Sequence, residues 1–294
     1  MLKINIVWST YLQKVGSLYL SRSLRFSDVF KDSYVNAFMI GDRKNILEIG
    51  CGPGALSQSL RRWYPHAEVL GTDRDSNFIA FASKEATNIN FMEADATSLP
   101  FNDCSFDVTI SNTVQEHIEP SKFFGEQYRV LKNNGICLVL SARRGVNISA
   151  PCIAEQTEFE NEIYNRTENY FKEADEKYNV CAYPLTESEL PQTMQKYGFK
   201  NVSTDYLTIN LTPDNPEYSQ EMAYAMINVN RQIELDGVDY LPYIAPDIVT
   251  TDELDELKKI KNNKYDKRLE LYDKGIKQWD TYMSLTMVLR GVKF

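Results

Sequence analysis

The sequence predicts an α/β fold: a doubly wound sheet of seven strands, mostly parallel, with helical segments inserted around it. Two observations carry this. Short apolar runs alternate with amphipathic helical stretches over residues 44–142, and crossovers of that length force parallel pairing with a right-handed connection. Three further stretches, 1–43, 144–184 and 213–279, exceed what the sheet connections need.

The elements follow in order. Residues 1–43 read as largely helical, with Phe26, Phe30, Tyr34 and Phe38 at every fourth position as one apolar stripe. The first strand, 45–49, runs into glycines, and a helix follows from Ala55 to about Tyr64. The second strand, 68–72, ends at Asp73, and a helix spans 77–86. The third strand is 89–92 and the fourth 106–110. A helix bearing Phe123, Phe124, Tyr128 and Leu131 leads through the turn Asn133-Asn134-Gly135 into the fifth strand, 136–140. Residues 144–184 are polar and aromatic with helical stretches. Thr186 and Glu189 form a capping box, with Leu185 and Leu190 as its staple, so a helix runs to Tyr197-Gly198, with Pro191 in its first turns. Strands at 202–211 and 282–289 complete the sheet. Within 213–279, Tyr265, Leu269, Tyr272, Ile276 and Trp279 mark an amphipathic helix, serving the core or the seam of a homodimer.

Composition narrows the function classes. Asp and Glu number 41 against 32 Lys and Arg, giving a net charge of -9, which disfavours a nucleic-acid partner. The five cysteines form no CxxC pair and have no histidine at ligand spacing, so neither a disulfide framework nor a metal site is expected. A reducing, cytoplasmic setting fits them. The apolar stretch at the start is short for a signal peptide, and no run approaches the roughly 18 apolar residues of a membrane span.

The chemistry centres on Glu48-Ile49-Gly50-Cys51-Gly52-Pro53-Gly54-Ala55. Glycines at a strand-to-helix turn let the backbone bend sharply and approach a ligand closely. The spacing also satisfies the dinucleotide fingerprint, so it does not separate the two ligand types. Asp73, 23 residues beyond the first glycine, Gly50, can accept both hydroxyls of a ribose. It can equally cap the next helix, a duty open to Asp75 as well. In the loop Glu93-Ala94-Asp95-Ala96, Asp95 can accept from an adenine amine while Ala96 leaves room for the ring; the alternative is a solvated acidic loop.

At this point a resemblance is plain. ILEIGCGPG, the GTD that ends the second strand, EADATSLPF, and SFDVTISN followed by VLKNNGICLVL are similar to class I S-adenosylmethionine-dependent methyltransferases. The small-molecule branch, including quinone-biosynthesis C-methyltransferases, is nearest. The motifs cover residues 44–142, in order. The resemblance implies a Rossmann-like methyltransferase fold with strand 282–289 antiparallel to 202–211. It implies S-adenosylmethionine as cofactor, S-adenosylhomocysteine as product and a small organic acceptor. Gly50, Cys51 and Gly52 would then lie against the cofactor's amino-acid part, with Glu48 nearby. Asp73 would hold the ribose, Arg74 would sit beside the adenine, and Asp95 and Ala96 would face it. Asn112 would offer its carbonyl to the methionine ammonium. The chain divides accordingly into an N-terminal helical cap (1–43), a cofactor-binding core (44–143), a helical insertion (144–184), a core helix and strand (185–212), a second insertion (213–279) and the last strand (280–294).

An activated sulfonium methyl needs mainly alignment and exclusion of water. A proton acceptor is optional, and His117 is the catalytic candidate, against the alternative that it packs or caps. Arg143 and Arg144 could bind an acidic acceptor or simply be solvated. The three extra segments are expected to converge as a lid over the site. Rings such as Tyr11, Tyr19, Tyr164, Tyr170, Phe171, Tyr178 and Tyr183 would help to line it. Two other classes stay open: an NAD-dependent oxidoreductase, which leaves the Asp95 loop without a purpose, and a non-catalytic S-adenosylmethionine-binding protein.

Overall fold

The computed structural model describes residues 8–294, apart from the side chains of Arg143 and Arg144. The first seven residues of the N-terminal segment, and the proposed anion-binding role of those two arginines, lie outside the described residues. Three helices open the chain: α1 (Trp8–Tyr11), α2 (Val15–Arg25) and α3 (Lys31–Phe38). The alternating unit follows as β1 (Asn45–Ile49), α4 (Ala55–Trp63), β2 (Glu68–Asp73), α5 (Ser76–Glu85), β3 (Asn90–Glu93), β4 (Phe106–Asn112), α6 (Pro120–Val130) and β5 (Leu131–Ile148). The remainder comprises α7 (Glu158–Lys177), α8 (Glu189–Lys196), β6 (Lys200–Leu211), α9 (Gln220–Ile244), α10 (Thr251–Asp273) and β7 (Thr281–Val292).

The seven strands form one sheet in the order β3-β2-β1-β4-β5-β7-β6. β1 pairs in parallel with both β2 and β4, whereas β7 is antiparallel to β5 and to β6. The expected fold class is therefore present, antiparallel last strand included. Strand order reverses between β1 and β4, and ligands of doubly wound sheets bind in the crevice that this reversal opens at the carboxyl ends. Central strands carry the core. Ile46, Leu47, Val108, Ile110 and Leu138 are fully buried, as expected for strands covered on both faces.

The structure departs from three readings of the sequence. β5 runs on to Ile148 rather than ending at Leu140, because Ser141–Ile148 pairs with β7 across a bulge between Ala142 and Arg144. Its polar and glycine residues read as a loop, but antiparallel pairing satisfies the backbone whatever the side chains. Residues 144–184 therefore begin as strand. The stripe of Phe26, Phe30, Tyr34 and Phe38 is not one helix: Phe26 caps the end of α2, Ser27 caps a 3₁₀ turn through Phe30, and Tyr34 and Phe38 lie on α3. Phe26, Tyr34 and Phe38 still reach one core. The stripe that begins at Tyr265 stops at Tyr272, since Gly275 at φ +69° turns the chain out of α10 and leaves Ile276 and Trp279 exposed.

The capping box forms as expected: the Glu189 carboxylate accepts from the Thr186 amide (2.9 Å) and hydroxyl (2.8 Å). Among the described residues no helix is long and apolar enough to cross a membrane.

Candidate active site

One cavity of about 670 Å³ opens at the carboxyl ends of β1 and β4. Its floor is the turn between β1 and α4. Gly50 has φ +68°, and a Cβ there would stand 2.4 Å from Val114 Cγ2, so any side chain would strain the backbone and strike Val114, two residues past β4. Gly54, at φ +85°, plays a packing part: a Cβ would press within 2.9 Å of both Ala82 and Phe91. The third residue of this turn, Cys51, donates its amide to Thr72 O at 2.9 Å, which ties the turn to the end of β2.

All ten residues singled out from the sequence line this cavity: Glu48, Gly50, Cys51, Gly52, Asp73, Arg74, Asp95, Ala96, Asn112 and His117. Asp73 does not cap α5. Its Oδ2 accepts from the Gly52 amide and its Oδ1 from the Asp75 amide, each at 2.9 Å. Asp75 is the cap, accepting from the Asn77 amide at 3.0 Å. Each Asp73 oxygen thus keeps a lone pair after its bond within the protein. Burial raises the Asp73 pKa above the usual carboxylate range, and the two amide bonds oppose the rise.

Glu48 is 2% exposed, and its carboxyl accepts from the Ser57 hydroxyl. Burial pushes its pKa up to about 8; the Ser57 bond opposes that and the neighbouring Asp73 adds to it. Burial likewise holds the Cys51 thiol far above its ordinary range, helped by Glu48 and Asp73, so no reactive thiolate forms there. Asp95 Oδ1 accepts from the Thr97 amide (2.8 Å) and hydroxyl (2.7 Å), which fixes its loop as a tight turn.

His117 closes a 3₁₀ turn, Gln115–His117, after β4. Its Nδ1 accepts from the Cys181 amide at 3.0 Å, and burial together with Arg74 lowers its pKa to about 4. A neutral ring whose Nδ1 accepts carries its proton on Nε2, and that nitrogen donates. With Nδ1 already accepting from Cys181, the neutral His117 ring has Nε2–H as its remaining donor.

The roof comes from two of the three extra segments. Trp8 lies between the Arg74 guanidinium (5.5 Å) and the His117 ring (4.7 Å), and Ser9 is pinned to Asp75 by its amide (2.6 Å) and hydroxyl (3.0 Å). After α7, residues 178–183 cross the cavity. The Tyr183 amide donates to Glu116 O (2.9 Å), and Gln115 Nε2 donates to Tyr183 O (3.1 Å). Tyr11 stacks on Tyr178 with ring centres 5.3 Å apart, joining the two halves of the roof.

The third segment does not reach the cavity, contrary to expectation. α9 packs behind α2, where Lys14 pairs with Asp239 and stands 3.6 Å from Asp236. Nor do most of the nominated rings line the site. Tyr19 bonds Gln58 and meets Phe81 edge-on, Tyr164 faces Lys261, and Phe171 is exposed. Tyr178 and Tyr183 are the two of that set in the wall. Conversely, Trp8, Leu18, Arg22 and Thr113 line it without having been singled out. The signal for Leu18, Arg22 and Phe26 was available, since they recur every fourth residue along α2.

A methyltransferase domain family model matches residues 47–139. Over 102 residues the chain is 39% identical to a demethylmenaquinone methyltransferase of Thermus thermophilus, covering 33% of this chain and 46% of that one. It is 35% identical over 104 residues to a fatty-acid O-methyltransferase of Mycolicibacterium smegmatis, covering 34% and 38%. The match thus spans less than half the length of either relative. A solved phosphoethanolamine N-methyltransferase 2 of Haemonchus contortus, in complex with S-adenosyl-L-methionine, aligns at TM-score 0.46 and 19% identity over 85% of this chain and 48% of that one. Over residues 47–139 the chain is thus similar to a methyltransferase domain.

Proposed function

We propose that the chain transfers a methyl group from S-adenosylmethionine to a small organic acceptor by in-line displacement, in the cytoplasm. One observation carries the reading: every residue nominated for the cofactor lines a single roofed cavity at the strand-order reversal. In this reading Asp73 holds the ribose. Arg74 and the Asp95-Ala96 loop flank the adenine, and Gly50–Gly52 cradle the amino-acid end beside Glu48 and Asn112. The roof excludes water and aligns the acceptor with the sulfonium methyl, and His117 Nε2–H orients a polar atom.

The acceptor is small because the roof encloses the site. Residues 8–26 and 178–183 meet over it, which favours a small acceptor over a macromolecule. The antiparallel β7 also sets this sheet apart from nicotinamide-binding sheets, which usually continue with parallel strands. Calorimetry with S-adenosylmethionine, S-adenosylhomocysteine and NAD tests the cofactor, and a product-mass screen of metabolite extracts tests the chemistry. The expected result is binding of the first two ligands alone and a product heavier by one methyl group. Binding of NAD instead would sink the reading, and absence of turnover with every acceptor class would reduce the chain to a cofactor-binding protein.

A further inference from the structure

We infer that Arg22 receives the carboxylate of the cofactor's amino-acid end, so that α2, which lies outside the matched methyltransferase domain, completes the cofactor site. This rests on the methyl-donor reading above. Leu18, Arg22 and Phe26 stand one helical turn apart on α2, and all three line the cavity. Leu18 lies directly over the glycine turn, its Cδ2 3.6 Å from where a Gly52 Cβ would stand. One turn on, an Arg22 Nη donates to Thr113 Oγ1 at 3.0 Å, and that hydroxyl donates to Asn112 O at 2.7 Å. The guanidinium is therefore a single hydroxyl away from the carbonyl assigned to the ammonium.

Charge selects the partner. Among the described residues Arg22 forms no ion pair, although Glu116 and Glu48 both feel its field. Burial, and Arg25 nearby, lower its pKa to about 10, which still leaves it charged at neutral pH. A half-buried cation of this kind is stabilised by an anion that brings both charge and hydrogen-bond acceptors. The other cations in the cavity wall are differently placed. Arg74 lies over the Trp8 ring, and Lys122 is largely exposed and pairs with Glu119. An α-amino acid carries an ammonium and a carboxylate on one carbon. This end of the cavity offers acceptors, Asn112 O and Glu48, beside one forked donor, Arg22.

The test compares ligands that differ at that carbon. Calorimetry is run on the full chain and on Arg22→Gln with S-adenosylhomocysteine and with 5′-methylthioadenosine, which has the same nucleoside and thioether but no amino-acid end. Loss of a charge-assisted carboxylate contact should weaken S-adenosylhomocysteine about ten- to hundredfold and leave methylthioadenosine within about twofold. Equal weakening of both would make Arg22 a structural residue and overturn the assignment. An unchanged affinity for S-adenosylhomocysteine would also overturn it and direct the guanidinium to the methyl acceptor. Should Arg22→Gln fail to fold, the wild-type chain decides: S-adenosyl-3-thiopropylamine, the decarboxylated analogue, should bind at least about tenfold more weakly than S-adenosylhomocysteine, and equal affinity refutes the proposal. A wild-type chain that binds none of these nucleosides would end the methyl-donor reading itself, and this one with it.

Discussion

Replacing Asp73 by alanine separates a ligand-binding carboxylate from a structural one. Each oxygen accepts one backbone amide, from Gly52 and from Asp75, both at 2.9 Å, and each has a lone pair left for a ribose hydroxyl. Losing the charge-assisted bonds to the ribose costs about 1.5–3 kcal/mol of binding, a ten- to hundredfold rise in dissociation constant for S-adenosylhomocysteine. The same change strands the two amides in a half-buried position. That costs about 1–3 kcal/mol of stability, or a fall in melting temperature of roughly 2–6 °C for a chain of this size. Asp73→Asn should restore part of both losses, because the amide oxygen still accepts. The assay is calorimetry on variants whose melts are cooperative. A folded Asp73→Ala chain with wild-type affinity would remove Asp73 from the site, whatever its melting temperature.

Three further outcomes follow from the same geometry. Cys51→Ala should keep cofactor binding and turnover within a few-fold, since the thiol is held neutral by burial and donates only weakly to Gly52 O at 3.5 Å; complete inactivation of a folded, cofactor-binding variant would contradict this. Glu48 binds a proton in the folded chain up to pH about 8, whereas the unfolded chain has lost it above about 4.5, so this group makes stability fall as pH rises through that window. Between about pH 6.5 and 8, where His117 no longer contributes its opposite slope, Glu48→Gln should therefore show a flatter urea-stability profile than wild type; parallel profiles in that window would refute the buried, protonated state. Saturating S-adenosylhomocysteine should slow limited proteolysis within residues 1–43 and 144–184, and equal cutting rates with and without it would leave the lid unsupported.

Local chemistry made the sheet and the floor of the site legible in the sequence. β1, β2 and β4 are short apolar runs bounded by glycine, aspartate or asparagine, and such runs announce themselves one at a time. The floor is legible for the same reason, since the residues 48–52, 73, 95 and 112 each sit at a strand end and need no knowledge of distant chain. His117 was visible as a candidate, but its role was not. The bond that fixes its tautomer comes from the Cys181 amide, 64 residues away. Arg22 was missed because a guanidinium on a helix reads as solvated until the helix is seen to face a cavity. The extension of β5 was missed for a related reason, since pairing with β7 depends on backbone groups that every sequence has.

The third extra segment shows why convergence could not be read from length and composition. Periodicity tells which face of a helix is apolar and is silent on what that face meets. In 213–279 much of the joining is done by buried charge. Glu160 on α7 accepts from Lys261 (2.8 Å) and Lys264 (2.6 Å) on α10, and those two ammonium groups hold its pKa down to about 2. Arg268, fully buried, donates to Asp214 (2.9 Å) and Asp280 (2.7 Å). Such pairs add little net stability over apolar packing, but breaking one is costly, so they fix which helix meets which. α10 is thereby tied to α7, and α9 to the start of α2 through Lys14. α7 delivers residues 178–183 and α2 delivers Leu18 and Arg22, so the two helices that roof the cavity are both held from behind by a segment that never touches it. Its place in the molecule is that of a brace for the roof.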